Sequence, residues 1–203
     1  FMGLEFQVNE HVLIPRQDTE TLVELVLSEH KEKNISLLDV CTGSGCIAIS
    51  LAKLGGYTDV TALDLSEEAL KVARSNGEKL LDQPVKFIKS DMFSALNPEK
   101  QYNVIVSNPP YIPSQVIEGL EPEVKDHEPR MALDGEPDGL KFYRILAEEG
   151  KKYLKNGGSI YMEIGWDQAK DVTEIFEAMG FSGLRTVRDM AGNDRVVCAR
   201  KEK

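Results

Sequence analysis

Cysteine is scarce in this chain. There are three in 203 residues, Cys41, Cys46 and Cys198, and no Cys-x-x-Cys pair. Three such thiols cannot form a disulfide framework, and they fit a reducing compartment. They also leave no thiolate set for structural zinc, and His11, His30 and His127 are too scattered to supply one. No apolar run approaches the ~18 residues that a membrane-spanning helix needs. The opening Phe1-Met2-Gly3-Leu4 lacks the basic and apolar regions of a secretory signal. The expectation is therefore a cytoplasmic protein with no membrane partner. A methionine standing second, behind Phe1, further leads to the expectation that residue 1 is not a natural start.

Positive charge is also in short supply. Lys and Arg number 24 against 34 Asp and Glu, for a formal net charge of −10. The isoelectric point is about 4.9. No basic run is longer than two residues, as at Lys151-Lys152. Nucleic-acid binders usually carry a basic face that replaces phosphate counterions, so this balance argues against a nucleic-acid substrate.

What is present is ordinary for a globular chain: 41% apolar and 29% charged residues. The length fits one domain, which buries roughly 70% of its unfolded surface without staples. Apolar clusters alternate with helical patterns. Asp18 to about His30 reads as a helix, with Leu22, Val23, Val26 and Leu27 on one face. Ser36 to Val40, Asp59 to Leu63, Val85 to Ile88, Tyr102 to Val106 and Ser159 to Ile164 read as strands. Between them lie helices over Cys46 to Leu54, from the N-cap Ser66 to about Leu81, and over Leu140 to Leu154. Gly157-Gly158 is expected to end the last of these. Asp167 to Met179 reads as a helix stopped by Gly180. Leu184 to Val187 and Arg195 to Ala199 form a hairpin around Gly192-Asn193.

This order predicts an α/β fold: a mostly parallel sheet with helices on both faces and an antiparallel closing hairpin. Residues 108–139 hold six prolines and read as one long irregular segment, of the kind that serves as a lid or binding loop. The domain expectation is a linker and leading helix over 1–34 and a catalytic domain over 35–203.

Chemistry gathers at the strand ends. Asp39-Val40-Cys41-Thr42-Gly43-Ser44-Gly45-Cys46 links a strand to a helix. Its glycines allow a tight turn and close approach to a ligand, and the helix beyond offers free N–H groups. Asp64 closes the second strand 19 residues past Gly45, where an acid accepts ribose hydroxyls. Asp91 and Met92 follow the third strand, placed to meet an adenine amino group and ring. Up to this point NAD and S-adenosylmethionine fit equally well. Gly43-x-Gly45-x-x-Ala48 even satisfies the dinucleotide fingerprint.

Asn108-Pro109-Pro110-Tyr111, directly after the fourth strand, separates them. An amide or aromatic amino nitrogen is a poor nucleophile, because its lone pair is delocalised. Two acceptors facing its N–H bonds, the Asn108 side-chain oxygen and the Pro109 carbonyl, hold it and favour the pyramidal geometry. The prolines stiffen the loop, and Tyr111 stacks on the planar group. Positioning supplies most of the catalysis. A nicotinamide oxidoreductase leaves this motif idle.

In this order, Asp39 to Gly45, Asp64, Asp91 and Asn108 to Tyr111 resemble a class I S-adenosylmethionine methyltransferase that methylates amino or amide nitrogens. Further segments narrow the resemblance to the release factor glutamine methyltransferases, the HemK/PrmC type. They are Leu13 to Glu20, Ser107 to Ile112, His127-Glu128-Pro129, Asp138-Gly139-Leu140 and Gly192 to Arg195. That resemblance covers essentially the whole chain. It implies methyl transfer to the glutamine of the Gly-Gly-Gln loop of class 1 peptide chain release factors, with S-adenosylhomocysteine as the other product. It implies that Asp39, Cys41, Thr42, Gly43, Ser44, Gly45, Asp64, Asp91, Met92 and Asn108 bind the cofactor. Asn108, Pro109, Pro110 and Tyr111 hold the amide, with Asn108, Pro109 and Tyr111 catalytic. The expectation is also that the family's N-terminal helical domain is absent from this chain. Cys41 stands where many relatives have glycine. Arg16 and Glu128 carry either cofactor or substrate contacts or ordinary surface pairing. The main alternative is a DNA or RNA methyltransferase acting on adenine or guanine, which shares the Asn-Pro-Pro-Tyr motif and flips its base.

Overall fold

Among the described residues, every strand belongs to one seven-stranded sheet in the order β3-β2-β1-β4-β5-β7-β6. The structure, a computed structural model, describes residues 1–125 and 127–202. The strands are β1 (Ser36–Val40), β2 (Asp59–Asp64), β3 (Lys86–Lys89), β4 (Tyr102–Ser107), β5 (Leu154–Glu163), β6 (Phe181–Arg188) and β7 (Asp194–Lys201). The first five are parallel, and β7 pairs antiparallel with both β5 and β6. This is the predicted mixed sheet, with its closing hairpin inserted beside β5. The chain order reverses between β1 and β4, and at such a switch point the strand ends open a crevice for ligands.

Strand periodicity divides the core in two. Leu37, Val104 and Val106 face one layer, packed with Leu22, Val23 and Val26 of α1 (Gln17–Glu29) and Ile47 and Leu51 of α2 (Cys46–Gly55). Leu38, Val40 and Ile105 face the other, with Tyr143 and Leu146 of α7 (Lys141–Tyr153) and Val172 and Phe176 of α8 (Ala169–Ala178). Neighbouring residues on one strand thus serve opposite layers, as a two-residue period requires. α3 (Glu67–Leu80) starts at the expected cap, where Ser66 Oγ accepts from the Ala69 amide at 3.2 Å.

Two expectations change. α7 ends at Tyr153, within a residue of the expected end, but Gly157-Gly158 is not its stop and β5 starts well before Ser159. Leu154 turns extended (φ −85°, ψ 136°) and already pairs with Tyr102, so β5 begins there. Gly157, at φ +79°, instead absorbs the register shift opposite Tyr102 and Val104, which is a bulge's work. The segment 108–139 is also less irregular than its prolines imply. It contains α4 (Ser114–Ile117), α5 (Pro122–Lys125) and α6 (Arg130–Leu133). Its prolines start these turns, with Pro113 and Pro129 as N-caps and Pro122 as first residue. That is the place where a missing N–H costs nothing. A bridge between Ile112 and Asp134 closes the segment on itself.

Gly45 shows what fixes the glycine turn. It sits at φ +81° as the N-cap of α2, and an added Cβ would lie 2.9 Å from Ile49 Cδ1 and 3.2 Å from Ala73 Cβ. Gly45→Ala should therefore destabilise the fold by ~1–3 kcal/mol, from left-handed strain plus overpacking against α3. The test is the urea midpoint at unchanged slope. An unmoved midpoint contradicts this packing.

Candidate active site

The carboxyl ends of β1, β2, β3 and β4 meet around a deep pocket. Its wall contains Cys41, Thr42, Gly43 and Ser44 after β1, Asp64 at the end of β2, and Asp91 and Met92 after β3. Asn108 and Pro110 follow from β4. Leu13, Pro15 and Arg16 close it from the α1 side, and Pro129, Met131 and Ala132 from the lid segment. Nine of the sequence-predicted site residues thus share one cavity. Asp39, Gly45, Pro109 and Tyr111 are not on its wall.

Asp64 braces the glycine turn. Its Oδ2 accepts from the Gly43 amide at 2.8 Å and its Oδ1 from the Ser66 amide at 2.9 Å. Burial raises its pKa, against the pull of the Ser66, Gly43 and Leu65 amides. Each oxygen keeps a lone pair for a second donor. At Gly43 (φ +54°) an added Cβ would meet nothing within 4 Å, so the backbone is open to a ligand. α2 starts without a side-chain cap, with Ser44, Cys46 and Ile47 on the pocket wall. Free amides and a helix dipole therefore face the cavity. Apolar Leu63, Leu65, Met92 and Phe142 line it beside these polar groups. An acidic acceptor, open amides and an apolar slot make the donor set that an adenosyl cofactor with an amino-acid tail requires.

Cys41 adopts φ +64° and Met92 φ +46°, conformations that side chains rarely take. Their sulfur atoms stand 3.9 Å apart. Ser90 Oγ donates to the Met92 carbonyl at 2.7 Å and holds that turn. The positive φ at Cys41 explains why a glycine suits the position.

Asp39 lies behind the turn. It is fully buried, and its Oδ2 accepts from Thr42 Oγ1 at 2.6 Å. Burial raises its pKa to about 7, opposed by the Thr42 hydroxyl and the Ala48 amide. Gly45 serves helix packing, as above.

Asn108 reaches back as well as forward. Its Nδ2 donates to Thr19 Oγ1 at 3.4 Å, while among the described residues its Oδ1 accepts no hydrogen bond. The Tyr111 ring packs against the core on the far side of the loop, and burial drives its phenol pKa upward. Its carbonyl accepts from Gln168 Nε2 at 2.9 Å, and the same amide group reaches the Gly139 carbonyl at 3.3 Å. Gln168 thereby ties the Asn-Pro-Pro-Tyr loop to the end of the lid.

Arg16 Nη2 donates to Glu128 Oε1 at 2.6 Å, and the Glu128 side chain is 2% exposed. This pair joins the two segments that flank the cavity, and Arg16 itself lines it.

Three residues carry structure that the sequence reading did not assign. Thr19 is 2% exposed and lines the pocket. Arg195 pairs with Asp189 at 3.0 Å and Asp18 at 3.3 Å and donates to the Ile164 carbonyl at 3.1 Å. Glu163 ends β5 at 2% exposure, with its Oε2 unpartnered among the described residues. An acid closing an apolar strand was the available signal.

Burial raises the Glu163 pKa to about 7, against the Thr19 hydroxyl and Arg195. A carboxyl whose folded pKa exceeds its unfolded one binds its proton more tightly in the native state. Its stabilising contribution is complete below the unfolded value near 4.5 and is lost as pH rises to about 7. Glu163→Gln should therefore stabilise the protein at pH 8 relative to its effect at pH 5 by more than ~1 kcal/mol. Equal effects in denaturant titrations at both pH values would contradict a buried, proton-hungry carboxyl.

The Methyltransferase small domain family matches residues 17–119. A solved structure, the protein-(glutamine-N5) methyltransferase (release factor-specific) from Alicyclobacillus acidocaldarius, is 32% identical. The match covers 98% of this chain and all of that one, at a TM-score of 0.57. Fold and pocket together define a class I S-adenosylmethionine-dependent methyltransferase.

The release factor glutamine methyltransferase of Fusobacterium nucleatum is 45% identical over 99% of the chain, which spans 57% of that protein's length. The one from Thermodesulfovibrio yellowstonii is 42% identical over the whole chain, which spans 74% of it. The chain belongs to the release factor glutamine methyltransferase family. Among the described residues no helix is long and apolar enough to cross a membrane.

Proposed function

We propose that this chain transfers a methyl group from S-adenosylmethionine to the side-chain amide nitrogen of the glutamine in the Gly-Gly-Gln motif of class 1 release factors. The observation that carries this reading is the Asn108 amide on the pocket wall, whose nitrogen is engaged by Thr19 while, among the described residues, its oxygen accepts no hydrogen bond. Asp64, the Gly43 turn and the α2 N-terminus hold the cofactor, with Asp91 and Met92 beside its base. Asn108 Oδ1 and the Pro109 carbonyl accept the two N–H bonds of the glutamine amide. They fix its nitrogen in line with the methyl carbon that S-adenosylmethionine supplies. The nitrogen lone pair forms the new N–C bond and the C–S electrons return to sulfur. The alkylated nitrogen then gives its proton to solvent, so the site needs no general base. Catalysis is positioning, which is worth several kcal/mol when the reacting atoms stand ~3–3.5 Å apart.

Burial drives the cysteine thiols up, Cys46 and Cys198 to about 12. They stay protonated and do not compete for the methyl group. Nucleic acid is disfavoured by the net charge of −10. The test is labelled-methyl incorporation at physiological salt into a release factor, DNA and RNA offered in parallel. Incorporation into the release factor with nucleic acid at background is expected. Comparable labelling of nucleic acid would replace this reading with base methylation.

A further inference from the structure

Asn108 matters for catalysis only if its oxygen, not its nitrogen, faces the substrate. A primary amide has nearly the same shape either way round, so something must choose. Thr19 is the neighbour that touches the amide, through Oγ1 at 3.4 Å from Nδ2. A hydroxyl cannot choose by itself, because it both donates and accepts. Its single proton must first be committed elsewhere.

Glu163 is placed to commit it. It ends β5, and the parallel register sets its neighbour Met162 opposite Ser107, the residue before Asn108. Its side chain is buried, one carboxyl oxygen has no partner among the described residues, and the Thr19 and Tyr111 hydroxyls face the group. A carboxylate buried at such cost, and short of partners, is a strong acceptor.

We infer that Thr19 and Glu163 are positioning residues that fix which way the Asn108 amide points. The Glu163 carboxylate accepts a hydrogen bond from the Thr19 hydroxyl, Thr19 Oγ1 then accepts from Asn108 Nδ2, and Oδ1 is presented to the substrate amide. This rests on the reading that Asn108 holds the glutamine. Glu163 is not on the pocket wall, and Thr19, which is, acts through Asn108. The chain of acceptance runs one way only while Glu163 is ionised. Once protonated, it can donate to Thr19 Oγ1 and compete with Asn108.

Arg195 on β7, Asp18 on α1, Tyr111, Tyr143 on α7 and Cys46 on α2 are the other charged or titratable groups that act on Glu163. Burial raises the Tyr111, Tyr143 and Cys46 values, and Asp189 raises that of Arg195, so these four keep their protons at neutral pH.

The experiment measures kcat and KM on a release factor and affinity for S-adenosylhomocysteine. Unmodified protein is the first arm: its activity tests the proposed function independently of any variant. Thr19→Val keeps shape and removes the hydroxyl. It is expected to lower kcat by ~10–100-fold, the scale of a misplaced reacting group, with product affinity within about twofold. Thr19→Ser is expected to restore most of kcat. The kcat of unmodified protein should fall on the acid side of neutrality; Glu163→Gln should flatten that limb, and Asp18→Asn, which removes a charge that raises the Glu163 pKa, should keep it but move it to lower pH. If Thr19→Val is poorly folded, the serine variant and the Glu163→Gln profile decide. An active parent whose kcat is unmoved by Thr19→Val, or a limb that survives Glu163→Gln, would overturn the inference.

Discussion

Asn108→Ala is expected to reduce methyl transfer at least ~100-fold while leaving affinity for S-adenosylhomocysteine nearly unchanged. The side chain supplies one of the two acceptors for the substrate amide, and misplacing the nitrogen by about 1 Å costs on this order. A glutamine N–H left unpaired in a dry site adds ~1–3 kcal/mol. The cofactor pocket should survive, because its turn is braced by Asp64 and its floor by the α2 N-terminus. Asn108→Asp is the sharper variant. It keeps an acceptor of the same size, but its charge attracts the sulfonium and stabilises the ground state, so partial activity at best is expected. Single-turnover rates and calorimetry separate the two effects. A near-normal rate in Asn108→Ala would reduce the loop to a proline turn.

The second large effect belongs to Asp64. Asp64→Ala is expected to weaken cofactor binding by ~2–3 kcal/mol, about 30- to 150-fold. Two losses combine. The ribose loses charge-assisted acceptors, and the Gly43 and Ser66 amides lose the carboxylate that ties them together. Calorimetry with S-adenosylhomocysteine reads the change directly. Unchanged affinity would show that Asp64 is only a brace within the turn.

Much of this was legible in the sequence because the signals are local. A run such as Ser36–Val40 between breakers is a strand whatever surrounds it, and its bounds match. The glycine turn, Asp64, Asp91, Met92 and Asn108 were found because each ends a strand or directly follows one, and parallel strands gather such residues at one edge. Gly45 was harder to place. It reads as a cofactor glycine, yet the clash its Cβ would make is with Ile49 and Ala73, a tertiary contact no local pattern reveals. Gly157-Gly158 misled for a similar reason: paired glycines stop a helix in isolation, but pairing with β4 turns them into a bulge. Tyr111 reads as a stacking platform from its motif; the structure packs its side chain against the core and leaves it off the pocket wall. Thr19 and Glu163 could not be linked by spacing, since 144 positions separate them and only the sheet joins them.

The central claim is that the methyl group lands on a glutamine amide nitrogen held by Asn108. Tandem mass spectrometry of a release factor incubated with this protein and S-adenosylmethionine tests it most directly. A single added methyl, mapped to the side chain of the Gly-Gly-Gln glutamine and missing with Asn108→Ala, is the predicted result. A methyl on another residue, or an unmodified glutamine beside a fully bound cofactor, would contradict it.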